Sequence, residues 1–564
     1  MTTTKIGFVT TIPSDAMPFL SAVEAINQKA EGTVEVCFKT GGDFRDFGSL
    51  DEFIRFSQKA HVVIIHLMGE LPEYDKLTSQ LKAAQVPFMV ASSLLERNKD
   101  LVNVSTVEPE DYRKMLGYLS YGGTKNFESL LLYLANRFTG ADFEVNSPVK
   151  LRWEGIYHPD FDDVPTLEEY MEKKFQRERL NVGIWFHQSH WQGNNTGFLD
   201  DLIKEVERQG ANALPVFFSG AKDESLGVKG LEWVIDNYFV KDGKPTVDVV
   251  VSVMSFSLTT ALTTPDAVGP LKRLNVPVIK AITTCNTFQE WRDTKQGLSV
   301  MDVPANIAMP EFDGALITVP VAAMDFSQEN SSRGIVKYEP IPERIKKIVR
   351  LSINWGKLRR LSNSQKKVAI IFHNYPPRND TIGHAFGLDS SVSVMNILRD
   401  LKAQGYSLAG MPESSQAMMD TIINGLTNDR RWASAEELAE RAIDRVSAEQ
   451  YEKWFSELPF DVRDKMVKDW GKPPGKVFSY GGNLLIAGVI NGNVFVGMQP
   501  PRGNLESVSS SIYHSPDISF PHHYYAYYHW IRDVFRANVV MHIGTHGSLE
   551  WLPGKSVGLS DSCF

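Results

Sequence analysis

Cysteine is nearly missing from this chain. Its 564 residues include three, Cys37, Cys285 and Cys563, with no Cys-x-x-Cys. So scattered and odd a set builds neither a disulfide framework nor a thiolate zinc site, and it fits a reducing compartment. Long hydrophobic runs are missing too. The longest, Val62–Met68 and Val247–Val253, fall far short of the ~18–20 residues that cross a bilayer, and they read as buried strands. The opening Met1-Thr-Thr-Thr-Lys5 has neither the charged nor the apolar region of a signal peptide, so a soluble cytoplasmic protein is expected. There is no excess of positive charge: 59 Lys and Arg stand against 68 Asp and Glu, a net −9. That balance excludes non-specific binding to nucleic acid or to an anionic membrane, yet leaves room for a small anion held by a few local arginines. Two catalytic motifs are absent as well. Pro553-Gly-Lys-Ser556 resembles the end of a phosphate-binding loop, but Leu549 stands where that loop needs its first glycine. No His-Glu-x-x-His of a zinc protease occurs. If the reaction needs ATP, a partner has to hydrolyse it.

What is present is ordinary globular composition, 43% hydrophobic and 23% charged. At roughly 100–200 residues per domain the chain should form about three to five domains. Lys5–Thr11, Asn181–Gln188 and Lys367–Asn374 are short β-rich runs that end in polar loop residues. A helical stretch follows each: Pro18–Gln28, Phe198–Gln209 and Val392–Gln404. Further strands are expected at Val34–Phe38, His61–His66, Pro87–Ala91, Leu214–Phe218, Val247–Met254 and Val276–Ala281. Continuous apolar strands alternating with helices predict an α/β chain of several doubly wound parallel sheets, Rossmann- or flavodoxin-like. The expected organisation is an N-terminal α/β domain over 1–145, a second over 146–345, and a third α/β region over 346–564. The third carries a helical insertion at about 430–470 and ends in a motif-rich block at about 499–564. Within the insertion, Ser434 with Glu437 and Ser447 with Gln450 fit capping boxes. Leu484–Val489 and Val494–Met498, joined across Asn491-Gly492, read as a hairpin. Pro342–Arg360 reads as an amphipathic helix whose basic side, Arg344 included, faces solvent or an acidic partner.

Chemistry concentrates in the last 65 residues, which hold six of the chain's 13 histidines: His514, His522, His523, His529, His542 and His546. Asn538–Ile543 should be a buried strand that Gly544 and Gly547 break into a loop. His542 then lies at the strand's end with His546 and Glu550 just beyond, in the region where α/β sheets bind ligands. Two imidazoles and a carboxylate on a short loop can hold a borderline divalent cation or accept protons; satisfied structural residues are the other reading. The aromatic run Tyr524–Trp530 is either one buried helix packed on the core or a stacking platform for a flat ligand. His522, His523, Tyr525, Trp551 and Lys555 are its candidate contacts. A second loop, His373–Asp389, joins a strand to a helix and is stiffened by Pro376 and Pro377. Asn374 is a candidate contact there, and Arg378 can meet a carboxylate bidentately.

These segments together resemble the CobN and magnesium-chelatase H-subunit family. The block His542-Ile-Gly-Thr-His-Gly-Ser-Leu-Glu-Trp-Leu-Pro-Gly-Lys555 is similar to the family's most specific string. Asn374–Arg378 with Gly387–Asp389, Ser189–Trp191 with Asn195-Thr196, and Gly155–Pro159 resemble the CobN branch. Pro310–Gly314 and Gln499–Gly503 are similar to other family blocks. Gly544–Glu550 is closer to the magnesium-enzyme wording. The resemblance implies the N-terminal part of a tetrapyrrole-binding large subunit that inserts Co2+ into a corrin precursor, hydrogenobyrinic acid a,c-diamide. Magnesium insertion into protoporphyrin IX, removal of iron from haem, and a carrier module without catalysis are the alternatives. It implies Glu550 as proton acceptor or metal guide, His542 and His546 as ligands or relay, and Arg502 and Arg378 at the macrocycle's polar groups. ATP, with its Mg2+, would be hydrolysed by a separate AAA+ subunit acting with an adaptor. Family members run longer, so the chain is expected to be a fragment or half of a split subunit, with the remaining C-terminal portion as a further partner. A periplasmic-binding-like module for a sugar or nucleotide is the reading from outside the family; it leaves the clustered histidines unexplained.

Overall fold

The computed structural model describes residues 2–564 except 31, 46–47, 221, 225–226, 260–267, 326–336, 432, 504–514 and 546–550. The chain divides into two compact units, 1–293 with 298–353, and 294–297 with 354–564.

The first unit is built on two large sheets. One is wholly parallel, in the order Val34–Thr40, Thr4–Thr10, Val62–Leu67, Phe88–Ser92. Alternate residues of its strands feed opposite cores. Ile6, Phe8 and Ile64 pack with Phe19 and Phe127 on one face, while Val9, Val63 and Ile65 pack with Phe53 and Leu77 on the other. With both faces covered, neither can be polar, which is why these strands read as unbroken apolar runs. The other sheet has seven strands in the order Lys337–Pro340, Leu316–Asp325, Val278–Thr287, Val249–Ser252, Asn181–His187, Asn212–Phe218, Gly155–Ile156. Its inner five are parallel and its two edges antiparallel.

The second unit is built on a four-stranded sheet in the order Val489–Asn491, Val494–Met498, Val368–Phe372, Val539–Ile543. Ala369 and Ile371 face Tyr527 and Trp530, and Val368, Ile370 and Phe372 face Val394 and Leu398. The doubly wound architecture expected from the sequence is therefore the one observed. Several details differ. Leu484–Val489 is not one strand: Gly488, at φ 143°, breaks it, and Asn483–Ile486 joins a separate three-stranded sheet. The hairpin is formed by Val489–Asn491 and Val494–Met498 alone. The insertion contains three helices, Ala435–Glu440, Ala448–Ser456 and Phe460–Trp470, interrupted by the strand Asp444–Val446. The capping box at Ser434 and Glu437 is complete, whereas Ser447 accepts from the Gln450 amide without the reciprocal bond. Helix Pro342–Arg360 buries Ile345, Ile348 and Val349 as its spacing requires, but Arg344 is buried too, beside the Glu343 carboxylate at 3.2 Å. No helix among the described residues is long and apolar enough to cross a membrane.

Lys280 sits inside the strand Val278–Thr287 with no exposed surface. Its amine donates to the carbonyls of Ala281 (2.9 Å) and Val253 (3.4 Å). Burial pushes its pKa down to about 7, against the opposing pull of Asp302. The unfolded chain therefore binds more protons at this position than the folded one between about pH 7 and 10.5, and stability should climb with pH across that window. Lys280→Met should flatten the climb, by up to about 5 kcal/mol over the full window. Chemical denaturation of both proteins at several pH values from 7 to 10 checks this; identical slopes would refute it.

Candidate functional site

The central strand Val368–Phe372 fixes the site. Phe372 is in register with Met498 on one side and Ile543 on the other, both parallel. Three carboxyl ends thus finish level, and the loops that follow them, from His373, Gln499 and Gly544, leave the sheet on the same side. Their backbones are stitched together. His373 N–H donates to Ile543 O (2.8 Å), Gln499 N–H to Phe372 O (2.8 Å) and Gly383 N–H to His373 O (2.6 Å). Gly544 is required where it stands, because a Cβ there would lie 2.3 Å from the His373 Cβ at a φ of +148°.

A polar chain crosses this surface. The Asn428 amide donates both to Asn374 Oδ1 and to Gln499 O, each at 2.8 Å. Gln499 Nε2 reaches the hydroxyls of Tyr524 (3.3 Å) and Tyr528 (3.4 Å). The Tyr528 ring lies nearly parallel to His542, with centroids 6.0 Å apart at 15°. His542 is exposed overall on the outermost strand, yet the ring face against Tyr528 is desolvated, which lowers its pKa below that of a free imidazole. A neutral imidazole keeps a lone pair for a cation or a proton.

The other predicted residues divide. Asn374 is buried and its side chain is spent on the loop, donating to Arg378 O (2.9 Å) and Thr381 Oγ1 (3.3 Å) while accepting from Asn428. Arg378 is exposed and clamps Asp380 bidentately. Arg502 is buried; its guanidinium donates to the carbonyls of Ser515 and Ile518 and so secures the segment that leads into the aromatic helix. His522 and His523 stand apart from the strand ends. His522 bonds Tyr451 Oη (2.7 Å) and Gly471 O (2.9 Å), and His523 bonds Leu485 O (2.8 Å) while stacking on Phe478. Burial lowers both, His523 to about 4. Helix His522–His529 packs its Tyr524 and Tyr527 into the core. Tyr525 is half-buried, stacks on Phe520, meets the His529 ring at a tilt of 52°, and has its phenol pushed up to about 12 by burial. Trp551 is partly exposed, and Lys555 Nζ donates to Thr294 O (2.8 Å). His514, His546 and Glu550 lie outside the described residues. Among the described residues, no cluster of three or more His, Cys, Asp or Glu is placed to hold a metal ion. Sequence reasoning missed Asn428. It lies in the polar run Thr427–Arg431 between helices, and nothing in its spacing marks it as the bridge between two loops.

The chain is thus a multidomain α/β protein with polar loops gathered at level strand ends, and comparison with known proteins gives its family. The family model described as CobN/Magnesium Chelatase matches residues 116–564, and the chain belongs to that family. An uncharacterized protein of Methanocaldococcus jannaschii is 39% identical over 571 residues, covering 99% of this chain and 46% of that protein. The aerobic cobaltochelatase subunit CobN of Pseudomonas aeruginosa is 31% identical over 469 residues, 82% of this chain and 36% of its own length. The solved catalytic subunit of cobaltochelatase from Mycobacterium tuberculosis superposes with a TM-score of 0.75 at 25% identity, over 99% of this chain and 44% of that one. The chain thus spans less than half the length of these relatives.

Gly544→Ala should cost roughly 2–4 kcal/mol, because the new methyl collides with His373 in a backbone conformation that disfavours any side chain. A drop in the urea midpoint at unchanged slope is the expected result; a wild-type midpoint would show that the strand-end stitching tolerates the clash.

Proposed function

We propose that this chain supplies the tetrapyrrole-binding face of a metal chelatase large subunit, and that its metal substrate is Co2+ delivered to a corrin precursor, hydrogenobyrinic acid a,c-diamide. The observation that carries the reading is similarity to the cobaltochelatase catalytic subunit over 99% of the chain. Three level strand ends with a polar loop on each suit a broad, flat ligand better than a narrow cleft would.

Metal insertion removes two pyrrole protons and strips water from the ion. It needs a proton acceptor, a transient docking point for the metal, and a surface that excludes solvent. In this reading Glu550 accepts protons or guides the ion, and His542 and His546 serve as ligands or relay. The flat Tyr528–His542 pair offers a face parallel to a macrocycle. Arg378, on the exposed rim, would exchange Asp380 for a substrate carboxylate. Asn374 and Arg502 act by holding the loops in place, and His522, His523 and Tyr525 by packing the aromatic helix. Trp551 and Lys555 lie on the segment that follows Glu550 and are proposed as contacts. ATP hydrolysis belongs to a AAA+ partner with its adaptor, and the work is done in the cytoplasm. Magnesium with protoporphyrin IX is the second reading, favoured by the wording of Gly544–Glu550.

An absorbance titration of the purified chain with hydrogenobyrinic acid a,c-diamide, protoporphyrin IX and haem tests this. One macrocycle should bind saturably, the diamide most tightly. Glu550→Ala should keep that binding while insertion by the reconstituted complex falls at least a hundredfold. Tightest binding of protoporphyrin IX would move the assignment to magnesium. Binding that survives with no insertion by the wild-type complex would leave a carrier.

A further inference from the structure

Val539–Ile543 reads Val-Val-Met-His-Ile, an apolar run of the kind that fills the middle of a parallel sheet covered on both faces. It stands at an edge instead. It pairs with Val368–Phe372 on one side and with no described strand on the other. All five of its residues are half-buried or exposed, Val540 at 46%. Its open side is a row of backbone groups. Val539 N–H donates to Lys367 O, and Ile543 O accepts from His373 N–H, so residues 539, 541 and 543 face the neighbouring strand. In a parallel ladder the residues between them turn the other way. Val540 and His542 therefore aim their N–H and C=O groups away from the sheet.

Every other edge longer than three residues, among the described residues, is guarded. Phe88–Ser92 ends the four-stranded sheet of the first unit, and its outward amides each donate to a side chain: Phe88 to Thr106 Oγ1 (2.8 Å), Val90 to Ser105 Oγ (2.9 Å) and Ser92 to Asn98 Oδ1 (2.7 Å). Val34–Thr40, at the opposite edge, carries Glu35 and Lys39. Lys337–Pro340 carries Lys337, Glu339 and Pro340, and its Tyr338 amide donates to Asn195 Oδ1 (3.0 Å). The remaining edge strands have two or three residues. Shortness, charge, proline and side-chain caps are what stop an edge from recruiting another strand. Val539–Ile543 has five residues, no Asp, Glu, Lys, Arg or Pro, and no cap among the described residues. It is a template for one more strand.

We propose that this edge is completed by a strand from the rest of a chelatase large subunit, whether that polypeptide is joined to this chain or separate. Length identifies the occupant. This chain matches 44% of the solved cobaltochelatase subunit and 46% of the Methanocaldococcus jannaschii protein, so more than half of each relative lies outside the match. Permanent interfaces are the apolar ones, which suits an edge without charge. The inference rests on membership of the family and holds for any metal or macrocycle.

The test mixes the full chain with the 54% of the Methanocaldococcus jannaschii protein left outside the 46% match, produced separately. Strand addition relies on main-chain hydrogen bonds, so a relative's strand is an adequate probe. In the chain alone, the Val540 and His542 amides should exchange with deuterium freely while those of Val539 and Met541 are protected. With the probe a one-to-one complex should form, and exchange at Val540 and His542 should slow at least a hundredfold. Val540→Pro removes an outward N–H and spares the inner ladder, and Val540→Lys puts a charge on the edge. Each, shown folded by its unfolding midpoint, should weaken the complex at least tenfold. The proposal fails if the two outward amides are already protected in the isolated chain, if no complex forms, if the complex leaves them unprotected, or if both variants bind like wild type. A dimer of this chain that Val540→Pro disperses would overturn the choice of occupant.

Discussion

The second unit depends on one constraint: Phe372 pairs in register with both Met498 and Ile543. Side chains in a strand alternate, so a slip of one residue on either flank would turn that strand's buried set outward and its exposed set inward. It would also move one loop along the sheet by the rise of a residue, about 3.3 Å. The three bonds made at the strand ends, by His373, Gln499 and Gly383, could not then all form. Register therefore does two jobs at once. It buries Ala369 and Ile371 against Trp530, and it brings into one plane the loops that a broad ligand would meet.

Desolvation sorts the histidines that the sequence gathers near its end. His522 and His523 are buried, each with a backbone carbonyl to receive a ring proton, and both are driven towards the neutral form. Such an imidazole is a hydrogen-bonded packing unit: both ring nitrogens of His522 are matched, whereas His523 is matched at Nε2 and its buried Nδ1 has no hydrogen-bond partner among the described residues. His542 is also lowered, yet it stays open to solvent on the outermost strand beside a tyrosine ring. The same physical effect thus acts on two wall residues and on one exposed imidazole, and what separates them is how much of the side chain the protein encloses.

Much of this was legible from residue order. Apolar runs without alternation called for sheets covered on both faces, and the strands at Val34, Asn181 and Val368 begin where those runs predict or within a residue of it. The loop after Phe372 and the end of the Val539–Ile543 strand were recognisable as lying together at strand ends because strand, glycine and polar residues follow one another locally. What escaped depends on distance along the chain. The Leu484–Val489 run is uniformly apolar, and only tertiary pairing assigns its two halves to different sheets. Asn428 lies more than 50 residues from Asn374 and about 70 from Gln499, so no local pattern could name it as their bridge. Arg502 and Arg344 were expected to present their charge outward. Both are buried instead, because a guanidinium with carbonyl or carboxylate partners can be enclosed without an uncompensated charge.

Net charge and local charge are different quantities. Some cations of this acidic chain are neutralised nearby: Lys174 sits 2.6 Å from Asp160, and Arg137 sits 2.9 Å from Asp111. Such pairs contribute little field at a distance, because the opposite charge cancels them and salt screens the remainder within about 8–10 Å. The field an approaching solute meets comes mainly from side chains left without partners. Net charge therefore does not decide where on the surface an anion or a cation is met; the local arrangement of paired and unpaired groups does.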